Sequence, residues 1–115
     1  MSKEAASVVK LHQRHQQLRR QLSQLGLISQ GSVQDRTARQ GGGAGYQWTR
    51  KVAQKTVTVS LTADQFTKMK EAVANYRTLR QQLREMEKIS RRIIFQTTPH
   101  PARRKALSQI VLGLK

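Results

Sequence analysis

The chain has no cysteine among its 115 residues, which excludes disulfide bonds and thiolate metal sites and leaves the redox compartment open. It is also poor in acidic groups, with 6 Asp and Glu against 22 Lys and Arg. The six are Glu4, Asp35, Asp64, Glu71, Glu85 and Glu87. Only Glu85 and Glu87 are close in sequence, and i,i+2 residues on a helix point apart. His12, His15 and His100 have no acidic neighbour with which to work. Nucleophilic, metal and general acid–base chemistry all lack an assembled set of groups, so neither an enzyme nor a cofactor is expected. No apolar run approaches the ~20 residues of a membrane span. The start, MSKEAASVVKLHQRH, lacks the uninterrupted apolar region of a signal peptide. The expectation is a cytoplasmic protein with no membrane partner.

What is present is positive charge. The net charge is +16 and the isoelectric point about 11.7. It is spread evenly, since residues 1–30, 31–61, 62–95 and 96–115 each net +4. A surface this positive seeks a polyanion, and nucleic acid is the commonest one in a cell.

Only one stretch reads as strand, YQWTRKVAQKTVTVSL over 46–61. Tyr46, Trp48, Arg50 and Val52 alternate with Gln47, Thr49 and Lys51, and a turn around Ala53, Gln54 and Lys55 leads to a second run. Paired as a hairpin, the runs put Tyr46, Trp48, Val52, Val57, Val59 and Leu61 on an apolar face. The other face is polar and basic. A lone hairpin is barely stable in water, so the apolar face must lie against the helices on either side.

The first of these is predicted from about Ser2 to Leu25, where Val8, Leu11, His15, Leu18, Leu22 and Leu25 form a heptad-like seam and Gly26 follows as a stop. Residues 26–45 read as a flexible connector, with Gly31-Ser32 and the run GGGAG as breakers. That glycine run lacks the Lys-Ser/Thr ending of a P-loop and follows no strand, so a phosphate-cradle reading is rejected. Thr62-Ala63-Asp64-Gln65 is a capping box, with Asp64 at the positive end of the helix dipole. It opens a helix with apolar steps at Phe66, Met69, Val73, Tyr76, Leu79, Leu83, Met86, Ile89 and Ile93, uninterrupted by Pro or Gly until Pro99. Thirty such residues span roughly 45 Å.

The fold class expected is α+β, mostly α: an antiparallel two-helix coiled-coil-like hairpin with an inserted β-hairpin and a short C-terminal helix from Pro101 to Leu112. Residues 1–95 would form the domain and 96–115 a basic C-terminal segment.

The candidate nucleic-acid contacts follow the charge. On the hairpin Thr49, Lys51, Lys55, Thr56 and Thr58 belong to the polar face or turn, and Arg50 lies near the strand end with its stem over Trp48 and its guanidinium reaching out. A two-stranded ribbon has the right width for a major groove, and its Lys and Thr side chains suit phosphate contacts. Tyr46 and Trp48 either stack on bases or bury the hairpin against the helices. Arg36 and Arg39 flank the glycine run. On the long helix Arg77, Arg80, Arg84, Lys88 and Arg91 recur every three or four residues as one cationic stripe. Unmatched like charges at i,i+4 cost stability, which makes more sense opposite phosphates. Arg103, Arg104 and Lys105 form a third patch.

Several of these residues carry a resemblance. Gly31-Ser32, Gly45-Tyr46, Thr49, Lys51-Val52, Lys55-Thr56 and Leu61, then Asn75-Tyr76-Arg77, make the region 31–77 similar to a family of short, basic, uncharacterised prokaryotic proteins often encoded near transposase and recombinase genes. Many of those proteins carry a Cys-rich knuckle before the tyrosine, where this chain has Arg39-Gln40-Gly41-Gly42-Gly43. The resemblance implies a mobile-element setting and no known activity.

The function expected is a non-enzymatic nucleic-acid-binding accessory protein of a transposition-type nucleoprotein complex. DNA is slightly favoured over structured RNA, other protein subunits are expected as partners, and a homo-oligomer is possible. The alternative is a coiled-coil adaptor whose main partner is a protein. Membrane-surface binding is weaker, since the seams carry few bulky aromatics.

Overall fold

The computed structural model describes residues 3–37, 45–99, 101–102 and 107–114. The protein is mixed α+β and mostly helical, in the order α1 (Lys3–Leu22), β1 (Ser32–Asp35), β2 (Tyr46–Val52), β3 (Lys55–Leu61) and α2 (Ala63–Thr97). It divides into two compact units. A helical unit comprises Met1–Gln24 and Arg80–Lys115, and a sheet unit comprises Leu25–Leu79.

In the helical unit, α1 and the 80–97 part of α2 run antiparallel. Gln82 Nε2 donates to Gln21 Oε1 at 3.0 Å, the Arg14 guanidinium meets Glu85 at 2.9 Å, and residues 3–9 share a hollow with 96–97. The seam predicted for α1 faces inward: Leu18 is 1% exposed and Val8, Leu11, His15 and Leu22 are half-buried. Ile89 is the buried counterpart on α2. The helix ends at Leu22, short of the predicted Leu25, because Ser23 Oγ donates to the Arg20 carbonyl and Gln24 N–H donates to Gln21 O, tightening the last turn. On α2 the apolar positions step by about 3.4 residues on average, below the 3.6 of a straight helix. The stripe therefore rotates around the axis, and one straight neighbour cannot cover all of it. Leu83, predicted on the seam, is exposed.

The predicted C-terminal helix is corrected: among the described residues 107–114 there is none. Ser108 Oγ accepts the Val111 N–H as an N-cap would. Five residues later Gly113, at φ +71°, closes a Schellman-type stop, with Leu114 N–H donating to Gln109 O and Gly113 N–H to Ile110 O. Start and stop signals this close leave room for a single turn. Arg103, Arg104 and Lys105 lie outside the described residues.

In the sheet unit the strands are not the isolated hairpin the sequence predicts. They form a three-stranded antiparallel sheet, β1-β2-β3. β1 lies inside the stretch read as a flexible connector and pairs Ser32↔Thr49, Val33↔Trp48, Gln34↔Gln47 and Asp35↔Tyr46. Residues 27–30 strap onto α2: Asn75 Nδ2 donates to Leu27 O at 3.0 Å, Ser29 N–H to Ala72 O at 3.1 Å, and Gln30 Nε2 to Tyr76 Oη at 3.0 Å. The turn between β2 and β3 is two residues, Ala53 and Gln54, at φ 48° and 66°. Lys55 therefore begins β3, opposite Val52. The capping box forms as predicted, with Thr62 N–H donating to Gln65 Oε1 at 3.0 Å and Gln65 N–H to Thr62 Oγ1 at 3.1 Å. The core of this unit is small, with Ala72 and Val73 its buried apolar residues among those described.

Candidate nucleic-acid interface

The register sorts the sheet side chains, because opposed residues share a face. Val33, Trp48 and Val59 stand in one row, Asp35, Tyr46 and Leu61 in the next, and Arg50 with Val57 and Val52 with Lys55 complete that face. The opposite face carries Ser32, Thr49 and Thr58 in one row and Lys51 with Thr56 in another. Lys51 lies on the polar face, whereas Lys55, expected in the turn, opens β3 on the opposite face. The two-residue turn is the cause.

The apolar face is anchored at one end only. The Tyr46 ring lies 4.5 Å from the Phe66 ring. Trp48 Nε1 donates to the Gln30 carbonyl at 2.9 Å, and the indole passes so close to Gly31 that a Cβ there would sit 2.4 Å from Nε1. The Arg50 guanidinium itself lies 5.5 Å from the centre of the Trp48 ring, where the sequence reading put the stem with the guanidinium reaching out. Tyr46 and Trp48 are half-buried and serve packing within the unit. Farther along, Val52, Val57 and Val59 are exposed.

The polar face holds a shallow hollow of about 270 Å³ lined by Ser32, Thr49, Arg50, Lys51 and Thr56. Ser32 and Thr49 hydroxyls approach to 3.4 Å across the β1–β2 pair. Hydroxyls beside the Lys51 ammonium suit a phosphate oxygen: the hydroxyls donate hydrogen bonds and the cation supplies charge, whereas the Arg50 guanidinium is on the other face over Trp48. Ser32 was not among the predicted contacts, whereas Thr56 was. Ser32 was hidden because a four-residue strand with one apolar side chain leaves no periodic signal.

Arg36 stands at the β1 end, its backbone N–H donating to Gly45 O at 2.9 Å and its Nε to Gln34 Oε1 at 3.3 Å. Arg39 lies outside the described residues. Asp35, nearby, is already occupied: its carboxylate accepts the Thr37 N–H and hydroxyl, which hold it below the usual carboxylate range.

In the helical unit, Arg80, Arg84, Lys88 and Arg91 share one side of α2, and Arg77, on the sheet-unit part of the same helix, begins the series. Arg84 and Lys88 are exposed and have no ion-pair partner among the described residues, and the same holds for Arg77. Arg91 is partly engaged, 3.8 Å from Glu87 and donating to Gly113 O at 3.3 Å. Glu85 is taken by Arg14. Among the described residues no group of three His, Asp or Glu could hold a metal, and no helix is long and apolar enough to cross a membrane.

No family model, no curated protein and no solved structure matches this chain.

Proposed function

We propose that this protein binds nucleic acid, mainly through phosphate contacts, as a non-catalytic accessory subunit of a nucleoprotein complex. One observation carries the reading. Among the described residues, Arg77, Arg84, Lys88 and Lys51 face solvent with no carboxylate paired to them, and the carboxylates that do pair are spent on Arg14 and Arg91. Six acidic groups cannot balance 22 basic ones, and like charges held at helical spacing are tolerated best where a polyphosphate lies opposite.

The contacts assigned are Lys51 with the hydroxyls of Ser32, Thr49 and Thr56 on the polar face of the sheet, and Arg77, Arg84 and Lys88 on α2. Tyr46 and Trp48 support Arg50 and the sheet. DNA is preferred over structured RNA on the resemblance of residues 31–77 to proteins encoded near transposases and recombinases. The residues of that resemblance fall within the sheet unit, Leu25–Leu79. A mobile-element setting and a cytoplasmic location belong to the same proposal.

The test is a titration of nuclease-treated protein against duplex DNA and structured RNA at several salt concentrations. Four phosphate contacts give a log–log salt slope of about −3.6. Absent or salt-insensitive binding ends the proposal. The second reading, a helical adaptor for a protein partner, is favoured by the exposed apolar side chains Leu83 and Ile94 on α2. Its mark is a complex that survives nuclease and high salt.

A further inference from the structure

The two edges of the sheet are unlike. β1 has four residues and ends in the charges of Asp35 and Arg36. β3 has seven, alternates Thr or Ser with Val, carries no proline, and beyond Lys55 has no charge before Asp64. In a chain of net charge +16 this neutral run stands out. Proteins guard exposed edge strands with charges, prolines, bulges or brevity, and β3 has a single lysine at its tip.

The hydrogen-bonding parity of that edge follows from the register. Arg36 N–H donates to Gly45 O, so alternate residues of β2, Gln47 and Thr49, exchange their backbone bonds with β1. Tyr46, Trp48, Arg50 and Val52 then exchange theirs with Leu61, Val59, Val57 and Lys55. This leaves the N–H and C=O of Thr56, Thr58 and Ser60 pointing outward. Residues 55–60 are exposed throughout.

We propose that the β3 edge pairs with β3 of a second copy of this chain, antiparallel about a two-fold axis at Thr58, to make a continuous six-stranded sheet. This register matches every outward group: Thr56 faces Ser60 of the second copy, Thr58 faces Thr58, and six backbone hydrogen bonds form. It also sets Val57 directly against Val59 in a close non-hydrogen-bonded pair, where cross-strand apolar contacts are strongest. Those two valines are 38% and 40% exposed in the single chain. The Lys55 side chains of the two copies stand six residues apart along the pair, roughly 20 Å, beyond the ~8 Å screening length at physiological salt. The occupant is a second copy because the edge is self-complementary in donors, acceptors, apolar contacts and charge placement. A nucleic-acid backbone offers no matching row of alternating donors and acceptors.

The proposal stands apart from the nucleic-acid reading, and salt separates the two. Screening the like charges strengthens dimerisation, whereas nucleic-acid binding weakens with salt. Nuclease-treated protein is to be weighed by sedimentation equilibrium at low and high sodium chloride. A dimer favoured by salt is expected, and a monomer at all salts up to about 100 µM protein, the weak end of specific self-association, overturns the idea. Thr58→Pro removes only an outward N–H and is expected to give a monomer with unchanged Trp48 fluorescence. Should that variant fail to fold, Thr58→Lys sets two like charges face to face and is expected to give a monomer too. A dimer persisting in a folded variant of either kind contradicts the pairing. The chain has no cysteine, so single cysteines report the register cleanly. Thr58→Cys places two Cα atoms about 5.5 Å apart, within disulfide reach, and oxidises to a dimer. Thr56→Cys alone leaves them about 14 Å apart and does not. Equal cross-linking at both positions, or none at 58, overturns the register and the proposal with it.

Discussion

Gly31 and Trp48 show how one residue dictates another. Gly31 sits at φ +111°, and a Cβ there would lie 2.6 Å from the Thr49 carbonyl oxygen as well as against the indole nitrogen. Backbone cannot yield as a flexible side chain can, so Gly31→Ala combines a steric clash with a conformation that L residues rarely adopt. The expected cost is about 2–3 kcal/mol of sheet-unit stability, measured by chemical unfolding followed through Trp48, the single tryptophan. Asp35 supplies a pH dependence. Its folded pKa is lowered by the hydrogen bonds from Thr37, so its contribution is present above the ordinary carboxylate value near ~3.9 and is lost as pH falls through the lowered one. The protection of the β1 amides, taken relative to their intrinsic exchange rate, is expected to fall below about pH 4, and Asp35→Ala should abolish that dependence. At this scale the sequence was readable where chemistry is local. The Thr62–Gln65 box and Arg50 over Trp48 both needed only neighbours a few residues away. The opposed placement of Lys51 and Lys55 was not readable, because it depends on one residue of turn length.

Elements were legible when their signal was long or self-contained. Both helices and the β2–β3 pairing follow from periodicity, and α2 stops where Thr97 to Pro101 break it. β1 carries one valine in four residues and exists because β2 offers it an edge and the 27–30 strap holds it there. The C-terminal turn was misjudged for the opposite reason. Its apolar spacing looks helical, yet Ser108 and Gly113 bracket one turn. The β2–β3 turn is the weakest joint. Ala53 and Gln54 both adopt positive φ, a left-handed conformation that costs L residues about 1–2 kcal/mol each and that an Asn-Gly pair adopts readily. The double substitution Ala53→Asn, Gln54→Gly is expected to raise the unfolding free energy by about 1 kcal/mol. A fall in stability would mean the turn is not of this type.

Across the whole chain the charge dominates. Each unit keeps few buried apolar residues, Leu18 and Ile89 in one and Ala72 and Val73 in the other among those described, so neither gains much from its own core. Both present cations that have no ion-pair partner among the described residues. The direct check is to compare the salt dependence of duplex DNA binding for the native protein and for the Arg84→Gln, Lys88→Gln double variant. Neither side chain has a partner among the described residues, so the fold should be unaffected. Binding is expected to weaken equally on unrelated DNA sequences, and the slope of log affinity against log salt should shrink by about 2, one for each phosphate contact removed. An unchanged slope would contradict the claim that the α2 cations meet phosphate.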